Sequence, residues 1–202
     1  ETAIIMNVQE ATTRRLPDLK ERHLPENCRE TINTILKETY GYEQFRNLEI
    51  YDDLSKGKEK LCISQGQLIE NVILEAEKAW KGETQVDNIL LTAPTGSGKS
   101  LLFQLPAIYL GKEYNLLTIV VSPLKALIVD QVESLQELGY TRVAYASSDL
   151  SPEQKMEVYR QVREGEIDLF YLSPELLLSY DIKHFVGERR IGLVGVDEAH
   201  TV

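Results

Sequence analysis

The fold of this 202-residue chain is decided by one stretch, Ala93-Pro94-Thr95-Gly96-Ser97-Gly98-Lys99-Ser100. It lies between an apolar run at Ile89–Thr92 and a second one at Leu101–Leu105, which is the strand–loop–helix context of a phosphate-binding loop. Gly96 and Gly98 allow successive backbone N–H groups to face one anion, and a helix N-terminus adds its dipole. Position 93 is alanine where the usual pattern has glycine. The stretch predicts a nucleoside-triphosphate site.

Each polar residue of this loop has an expected role. Lys99 can reach the β- and γ-phosphates, and the hydroxyl of Ser100 can ligate Mg²⁺. The residues expected to surround the nucleotide phosphates are Pro94, Thr95, Gly96, Ser97, Gly98, Lys99 and Ser100.

A second apolar run, Ile191–Val196, predicts a buried parallel strand that delivers Asp197-Glu198-Ala199-His200 at its carboxyl end. We expect Asp197 to hold Mg²⁺ through water and Glu198 to orient and deprotonate the attacking water. His200 is a candidate relay between the nucleotide site and neighbouring elements. With Lys99, these residues form the predicted catalytic set of a nucleoside triphosphatase.

The net charge, the two cysteines and the lack of long apolar stretches limit the kinds of protein that this chain can be. The formal net charge of −10 excludes a protein that coats nucleic acid through a broad basic surface, although local hydroxyls, amides and lysines can still grip a strand. Cys28 and Cys62 fit neither a metal spacing nor a disulfide framework, so we expect reduced thiols. With no membrane-spanning apolar stretch and no signal-peptide pattern, the sequence predicts a soluble intracellular protein, cytoplasmic or, in a eukaryote, nuclear.

The chain divides into a polar segment at 1–60, helical and loop in character, and a larger domain at 61–202. Helices are expected at Thr31–Tyr40, Gln67–Trp80, Ser100–Leu110, Leu124–Leu138 and Ser151–Glu164, with a short one after Pro174. Strands are expected at Ile89–Thr92, Leu117–Val121, Arg142–Tyr145, Leu169–Leu172 and Leu193–Val196. This alternation predicts an α/β fold, with a largely parallel sheet between helices and a small helical N-terminal segment in front.

The segments between the two nucleotide motifs resemble the first RecA-like motor domain of superfamily-two helicases, and most closely the RecQ-like branch. The resemblance covers roughly residues 38–202. It rests on Gln104-Leu105-Pro106, on Thr118–Leu124 running into Asp130-Gln131-Val132, on Ser147-Ser148, and on Asp168–Glu175. The ordered occurrence of these motifs implies an ATP-dependent motor that acts on DNA.

The resemblance also implies contacts to the nucleic-acid backbone. The residues that match the strand-binding motifs are Ser122, Pro123, Lys125, Ser148, Ser173 and Pro174. Serine hydroxyls after strands can contact phosphates without reading base identity. A serine followed by proline is also an ordinary helix start, with serine as the cap and proline in the first turn.

Upstream, Tyr40-Gly41-Tyr42-Glu43-Gln44-Phe45-Arg46 is similar to the RecQ adenine-recognition motif. The resemblance implies that Tyr42 and Arg46 embrace the base while a glutamine reads its edge, so that ATP is preferred. We predict Gln67 in that role. The family places this glutamine a few residues after the arginine, and the long insertion here leaves Gln65 and Gln44 as alternatives.

The favoured function is therefore the ATP- and Mg²⁺-binding part of a DNA helicase or translocase, completed by a second RecA-like domain. The alternatives are a phosphate-loop ATPase that acts as a switch or assembly module, and an RNA helicase. The layout of such motors places a further strand between the phosphate-loop strand and the Asp197 strand. We accordingly expect residues 1–202 to be part of a longer polypeptide and to be inactive alone.

Overall fold

The computed structural model describes residues 3–4, 25–51, 60–89 and 96–197. The helices are α1 (Glu30–Tyr40), α2 (Gln65–Trp80), α3 (Leu101–Tyr114), α4 (Lys125–Glu137), α5 (Pro152–Arg163), α6 (Pro174–Ser179) and α7 (Ile182–Val186). The strands are β1 (Ala3–Ile4), β2 (Asn47–Tyr51), β3 (Lys60–Ser64), β4 (Leu117–Val121), β5 (Val143–Ala146), β6 (Leu169–Leu172) and β7 (Ile191–Val196).

A parallel sheet in the order β1-β7-β4-β6-β5 forms the centre of the molecule. Every residue of β4 and β6 is buried, as expected for strands covered on both faces. Because helices connect β4, β5, β6 and β7, the carboxyl ends of these strands meet at one edge of the sheet. The predicted α/β fold is confirmed, and this edge receives the residues that follow each strand.

Helices cover both faces of the sheet. One core contains α1, α2, α3 and α4, with Val120 and Tyr171 from the sheet. The opposite core contains α5, α6 and α7, with Ile119 and Phe170 from the sheet. The helix that follows the phosphate loop, α3, is buried along most of its length and lies at the centre of the first core.

The N-terminal part of the chain is integrated into this first core. Ile32, Ile35 and Leu36 of α1 are buried in it together with α2 and α3. The antiparallel hairpin β2–β3, which the sequence did not predict, runs across the boundary expected near residue 60. In the described part of the chain, that boundary therefore does not separate two packing units.

At the amino ends of the strands, the carboxylate of Asp168 ties the sheet to its neighbours. It accepts hydrogen bonds from Arg142 at 2.6 and 2.8 Å, from Arg189 at 3.0 Å and from the hydroxyl of Tyr140 at 3.2 Å. A Cβ atom at Gly111 of α3 would lie 2.3 Å from the Asp168 carboxyl carbon, so glycine allows the helix to approach the charge. This cluster fixes the start of β6 under α3.

Parts of the sequence interpretation lie outside the described residues. These are Leu90–Thr92 of the expected first strand, Pro94, Thr95, Glu198, His200, and residues 52–59 of the insertion. Next to the Asp197 strand, where a further strand was expected, Ala3 and Ile4 pair in parallel with Leu193 and Val194 of β7.

Candidate nucleotide and strand-binding site

The described half of the phosphate loop has the conformation that its glycines predict. Gly96 and Gly98 have φ angles of 78° and 79°, a region that residues with a Cβ rarely adopt. Ser100 already has helical angles, and the Leu102 N–H donates to the carbonyl of Lys99 at 2.9 Å as α3 begins. The loop therefore leads directly into a helix N-terminus, as an anion site requires.

The side chain of Gln65 lies against this loop. Its Nε2 donates to the backbone oxygens of Ser97 at 2.9 Å and Gly98 at 3.3 Å, and its Oε1 accepts from the Arg46 N–H at 3.2 Å. Gln65 is 1% exposed. A Cβ at Gly98 would lie 2.7 Å from the Gln65 nitrogen, so Gly98 is also needed for this close packing.

The structure does not bring Gln67, the glutamine chosen from the sequence, to the phosphate loop. The Gln67 side chain caps its own helix, because its Oε1 accepts from the Ser64 N–H at 3.1 Å. Its Nε2 donates to the carbonyls of Pro25 and Glu26. The helix α2 begins at Gln65, two positions earlier than expected, so Gln65 and Gln67 point in different directions.

The hairpin explains how the insertion leaves Gln65 near Arg46. Strand β2 begins directly after Arg46, and β3 ends directly before Gln65. The Gln65 N–H donates to the carbonyl of Arg46 at 2.9 Å, so the two ends of the insertion are hydrogen-bonded to each other. The inserted residues leave and re-enter the domain at one point, and sequence spacing alone could not reveal this closure.

A cavity of about 420 Å³, here called the loop cavity, opens beside these residues. Its lining includes Tyr42, Arg46, Gln65, Gly98 and Ser100, and also Gln44, the third candidate glutamine. Tyr42 is 48% exposed, and its ring stacks on that of Tyr40 with 6.2 Å between the centroids. The structure thus brings the predicted aromatic and arginine to the phosphate loop.

Asp197 lies at the carboxyl edge of the sheet, directly after β7. Its N–H donates to the carbonyl of Val121 at the end of β4, at 2.9 Å. Burial raises the pKa of the Tyr171 hydroxyl, and the negative charge of Asp197 raises it further, so the two groups interact electrostatically. Glu198 and His200 follow Asp197 but lie outside the described residues.

The serines of the strand-binding motifs lie at the same edge in two different states. Ser173 caps α6, because its Oγ accepts from the Leu176 N–H at 3.4 Å, and Pro174 is in the first turn. Ser122 caps no helix, since α4 begins only at Lys125 with Leu124 in the cap position. The Ser122 hydroxyl is buried, and no described residue gives it a hydrogen bond.

Lys125 contacts the third serine and an acid that the sequence analysis missed. Its Nζ lies 2.5 Å from the Ser148 hydroxyl and 2.9 Å from the Asp149 carboxylate. The hydrogen bond from Lys125 lowers the pKa of the Asp149 carboxyl. Lys155 also donates to the Ser148 carbonyl, at 3.3 Å. In the sequence, only the position of Asp149 directly after Ser148 pointed to this acid. The distance along the chain between Lys125 and Asp149 gave no sign that they are in contact.

Residues 67–202 match the DEAD/DEAH box helicase family. The chain belongs to this family. The match includes the described phosphate-loop residues and Asp197, together with every residue predicted above to contact a nucleic-acid strand.

Curated relatives support the RecQ-like resemblance. The ATP-dependent DNA helicase RecQ of Synechocystis is 33% identical over 174 residues, which cover 85% of this chain and 30% of that protein. A protein of Acanthamoeba polyphaga mimivirus, named a putative ATP-dependent RNA helicase, is 31% identical over 176 residues, covering 85% of this chain and 25% of that protein. The chain thus spans less than a third of the length of these relatives.

A solved structure, that of the DUF1998 helicase MrfA bound to DNA and AMPPNP, shares the fold with a TM-score of 0.52 at 21% identity. The similarity covers 89% of this chain and 22% of that one. Within the described residues, every helix is too short or too polar to cross a membrane.

Proposed function

We propose that this chain is the ATP-binding part of an ATP-dependent DNA helicase or translocase, which couples ATP hydrolysis to movement on DNA. The observation that carries the proposal is the contact of Gln65 with Ser97 and Gly98 beside Tyr42 and Arg46. It joins a base-recognition segment to a phosphate loop. The remainder of the polypeptide would supply the second RecA-like domain.

In this proposal, Tyr42 and Arg46 embrace the adenine and Gln65 reads its edge. The Gln65 oxygen accepts one hydrogen bond and keeps a second lone pair for the adenine N6 amino group. Its nitrogen donates to the Ser97 carbonyl at 2.9 Å and, more weakly, to the Gly98 carbonyl at 3.3 Å. The hydrogen directed at Gly98 can therefore be donated to adenine N7 instead. Guanine keeps the N7 acceptor but carries the acceptor O6 in place of the N6 amino group, so the Gln65 oxygen would lose its partner.

The described loop residues fit a bound triphosphate. Gly96 and Gly98 have the left-handed conformation that lets loop amides face an anion. The hydroxyl of Ser97 is buried and has no hydrogen-bond partner among the described residues. Lys99 would bind the β- and γ-phosphates as the loop amides neutralise the remaining charge.

Oxygen donors on Ser100 and Asp197 fit Mg²⁺, which favours a few protein oxygens together with substrate phosphates. The described residues contain no cluster of three or more His, Cys, Asp or Glu side chains that could hold a metal ion without phosphates. The ion would supply charge neutralisation at the phosphates. Glu198 would take a proton from the attacking water, and His200 would relay the nucleotide state to neighbouring elements.

DNA is proposed to lie along the carboxyl edge of the sheet, where Ser122, Lys125 and Ser148 would contact its backbone together with Pro123, Ser173 and Pro174. The unpartnered hydroxyl of Ser122 supports a ligand at this edge. RNA is a second candidate, because backbone contacts do not distinguish the sugars and one relative carries an RNA helicase name.

The test is ATP turnover by the intact protein with single-stranded DNA or RNA of one sequence, at a stated low salt concentration. We expect stimulation by DNA, and Lys99→Ala provides the background rate. Stimulation by RNA alone would transfer the proposal to RNA. Turnover that neither strand stimulates would favour the switch or assembly ATPase.

A further inference from the structure

A buried glutamine of α3 joins the elements that carry the two halves of this site. Gln104 is 5% exposed. Its Oε1 accepts from the Tyr40 hydroxyl at 2.8 Å, and its Nε2 donates to Gln131 Oε1 at 2.8 Å and to the Tyr171 hydroxyl at 3.3 Å. We call these residues, Tyr40, Gln104, Gln131 and Tyr171, the amide hub.

The amide hub connects different parts of the domain. Tyr40 ends α1, directly before the segment that contains Tyr42, and Gln104 lies one turn into α3 after the phosphate loop. Gln131 belongs to α4, which begins at Lys125. Tyr171 lies in β6, two positions before Ser173. One side chain of the phosphate-loop helix therefore contacts the end of α1, next to the predicted base segment, and two of the three elements that carry or precede predicted strand-binding residues.

The burial of the hub makes its geometry strict. Both amide hydrogens of Gln104 are used, and leaving a buried polar group without its hydrogen bond destabilises the domain. Burial raises the pKa of both the Tyr40 and Tyr171 hydroxyls, so they stay neutral and act as hydrogen-bonding groups. Movement of α3 relative to α4 or β6 would stretch these hydrogen bonds.

The hub also lies close to the predicted nucleotide site. The backbone N–H of Gln104 donates to the carbonyl of Ser100 at 3.0 Å, so Gln104 lies one helical turn from a predicted metal ligand. A change in the position of Ser100 would therefore reach Gln104 through the first turn of α3.

We propose that Gln104 is a positioning residue that couples nucleotide binding at the phosphate loop to nucleic-acid binding at the carboxyl edge of the sheet. The inference rests on the proposed function. It predicts that a substitution at Gln104 changes how strongly bound nucleotide alters the affinity for the nucleic-acid strand, because Gln104 contacts α4 and β6, which lead to the strand site.

The experiment measures the affinity of the intact protein for a fluorescent single-stranded DNA, with and without a saturating non-hydrolysable ATP analogue. The ratio of the two dissociation constants is the linkage factor. Gln104→Met preserves the length and volume of the side chain while removing its hydrogen bonds. Tyr40→Phe and Tyr171→Phe each remove one hydroxyl and test the two arms separately.

We expect Gln104→Met to bring the linkage factor at least about fivefold closer to one, given that allosteric couplings typically span 5–150-fold. The control is Gln136→Met, on the same helix as Gln131. The side-chain nitrogen of Gln136 makes only a 3.5 Å contact to the Val143 carbonyl. We expect this control to keep the wild-type factor. A merely structural role for Gln104 would weaken both DNA affinities alike and leave their ratio unchanged.

An unchanged linkage factor in a folded Gln104→Met protein would overturn the inference while leaving the proposed function intact. If that variant does not fold, unchanged factors in both phenylalanine variants would overturn it as well. Absence of any linkage in the wild-type protein would instead contradict the proposed motor function and the inference together.

Discussion

The side-chain nitrogen of Gln65 lies 2.9 Å from the backbone oxygen of Ser97, although the two residues are 32 positions apart in the chain. This hydrogen bond attaches the start of α2 to the phosphate loop. The Arg46 N–H donates to the oxygen of the same amide, so one side chain is hydrogen-bonded to both the loop and the predicted base-recognition segment.

Replacing Gln65 should weaken base recognition. We expect Gln65→Ala to erode the preference for ATP over GTP by about tenfold or more, because a desolvated hydrogen-bond pair is worth about 1–3 kcal/mol. Gln67→Ala is the matched control and should lower stability slightly through the lost helix cap, without changing base preference. Competition binding measures both variants. The opposite pattern would return the role to Gln67.

Lys99→Ala and Glu198→Gln should separate binding from chemistry. Lys99→Ala should weaken ATP binding and abolish hydrolysis, because the main positive charge at the phosphates is lost. Glu198→Gln should keep the affinity for ATP while turnover stops, since only water activation is removed. Nucleotide affinity and steady-state turnover of the intact protein test the pair. Wild-type turnover in Glu198→Gln would exclude Glu198 as the base.

Removing the charge of Asp149 should strengthen strand binding. The Asp149 carboxylate accepts a hydrogen bond from the Lys125 ammonium group at 2.9 Å and so competes with a nucleic-acid phosphate for that group. We expect Asp149→Asn to raise affinity for single-stranded DNA by about two- to fivefold at low salt, with a smaller effect at high salt, as for other exposed charges. Glu153→Gln changes the net charge equally on α5, where the carboxylate accepts from Ser151 instead. Equal effects of both variants would point to net charge alone.

Neutralising Asp168 should destabilise the domain. Asp168→Asn leaves Arg189, whose side chain is 5% exposed, without its buried negative partner. Breaking a buried ion pair from one side typically costs about 3–5 kcal/mol. Chemical denaturation measures the loss, and Glu157→Gln is the control because its pair with Arg160 is exposed on α5. A loss no larger than that of the control would show that the cluster contributes little.

Acid should weaken the attachment of residues 25–29 to the first core. Burial alone would raise the pKa of the Glu77 carboxyl, but hydrogen bonds from Arg29 and Tyr114 outweigh it and hold that pKa below its ordinary 4.5. The stabilisation is therefore complete above the ordinary pKa and is lost as the pH falls through the lowered one. Thermal denaturation between pH 7 and 3 should show a shallower pH dependence in Glu77→Gln than in wild type. A control, Glu38→Gln, changes an exposed acid of α1 and should keep the wild-type dependence.

The sequence by itself determined the parallel strands β4 to β7 and the helices between them, apart from the short α7, together with the turn at the described glycines of the phosphate loop. Continuous apolar runs such as Leu117–Val121 predict buried strands, and glycines at 96 and 98 predict a left-handed turn, because both signals act between near neighbours in the chain. The cap formed by Ser173 was recognisable for the same reason.

Only the tertiary structure decided which polar side chains meet. The position of Gln65, and not of Gln67, against the phosphate loop depends on the pairing of β2 with β3, which closes the insertion at Arg46. The contacts of Gln104 and of Asp149 likewise require helices and strands from distant parts of the chain to converge. Local patterns specify backbone conformation and the buried face of an element, whereas contacts between polar side chains depend on long-range packing, which one-dimensional spacing does not contain.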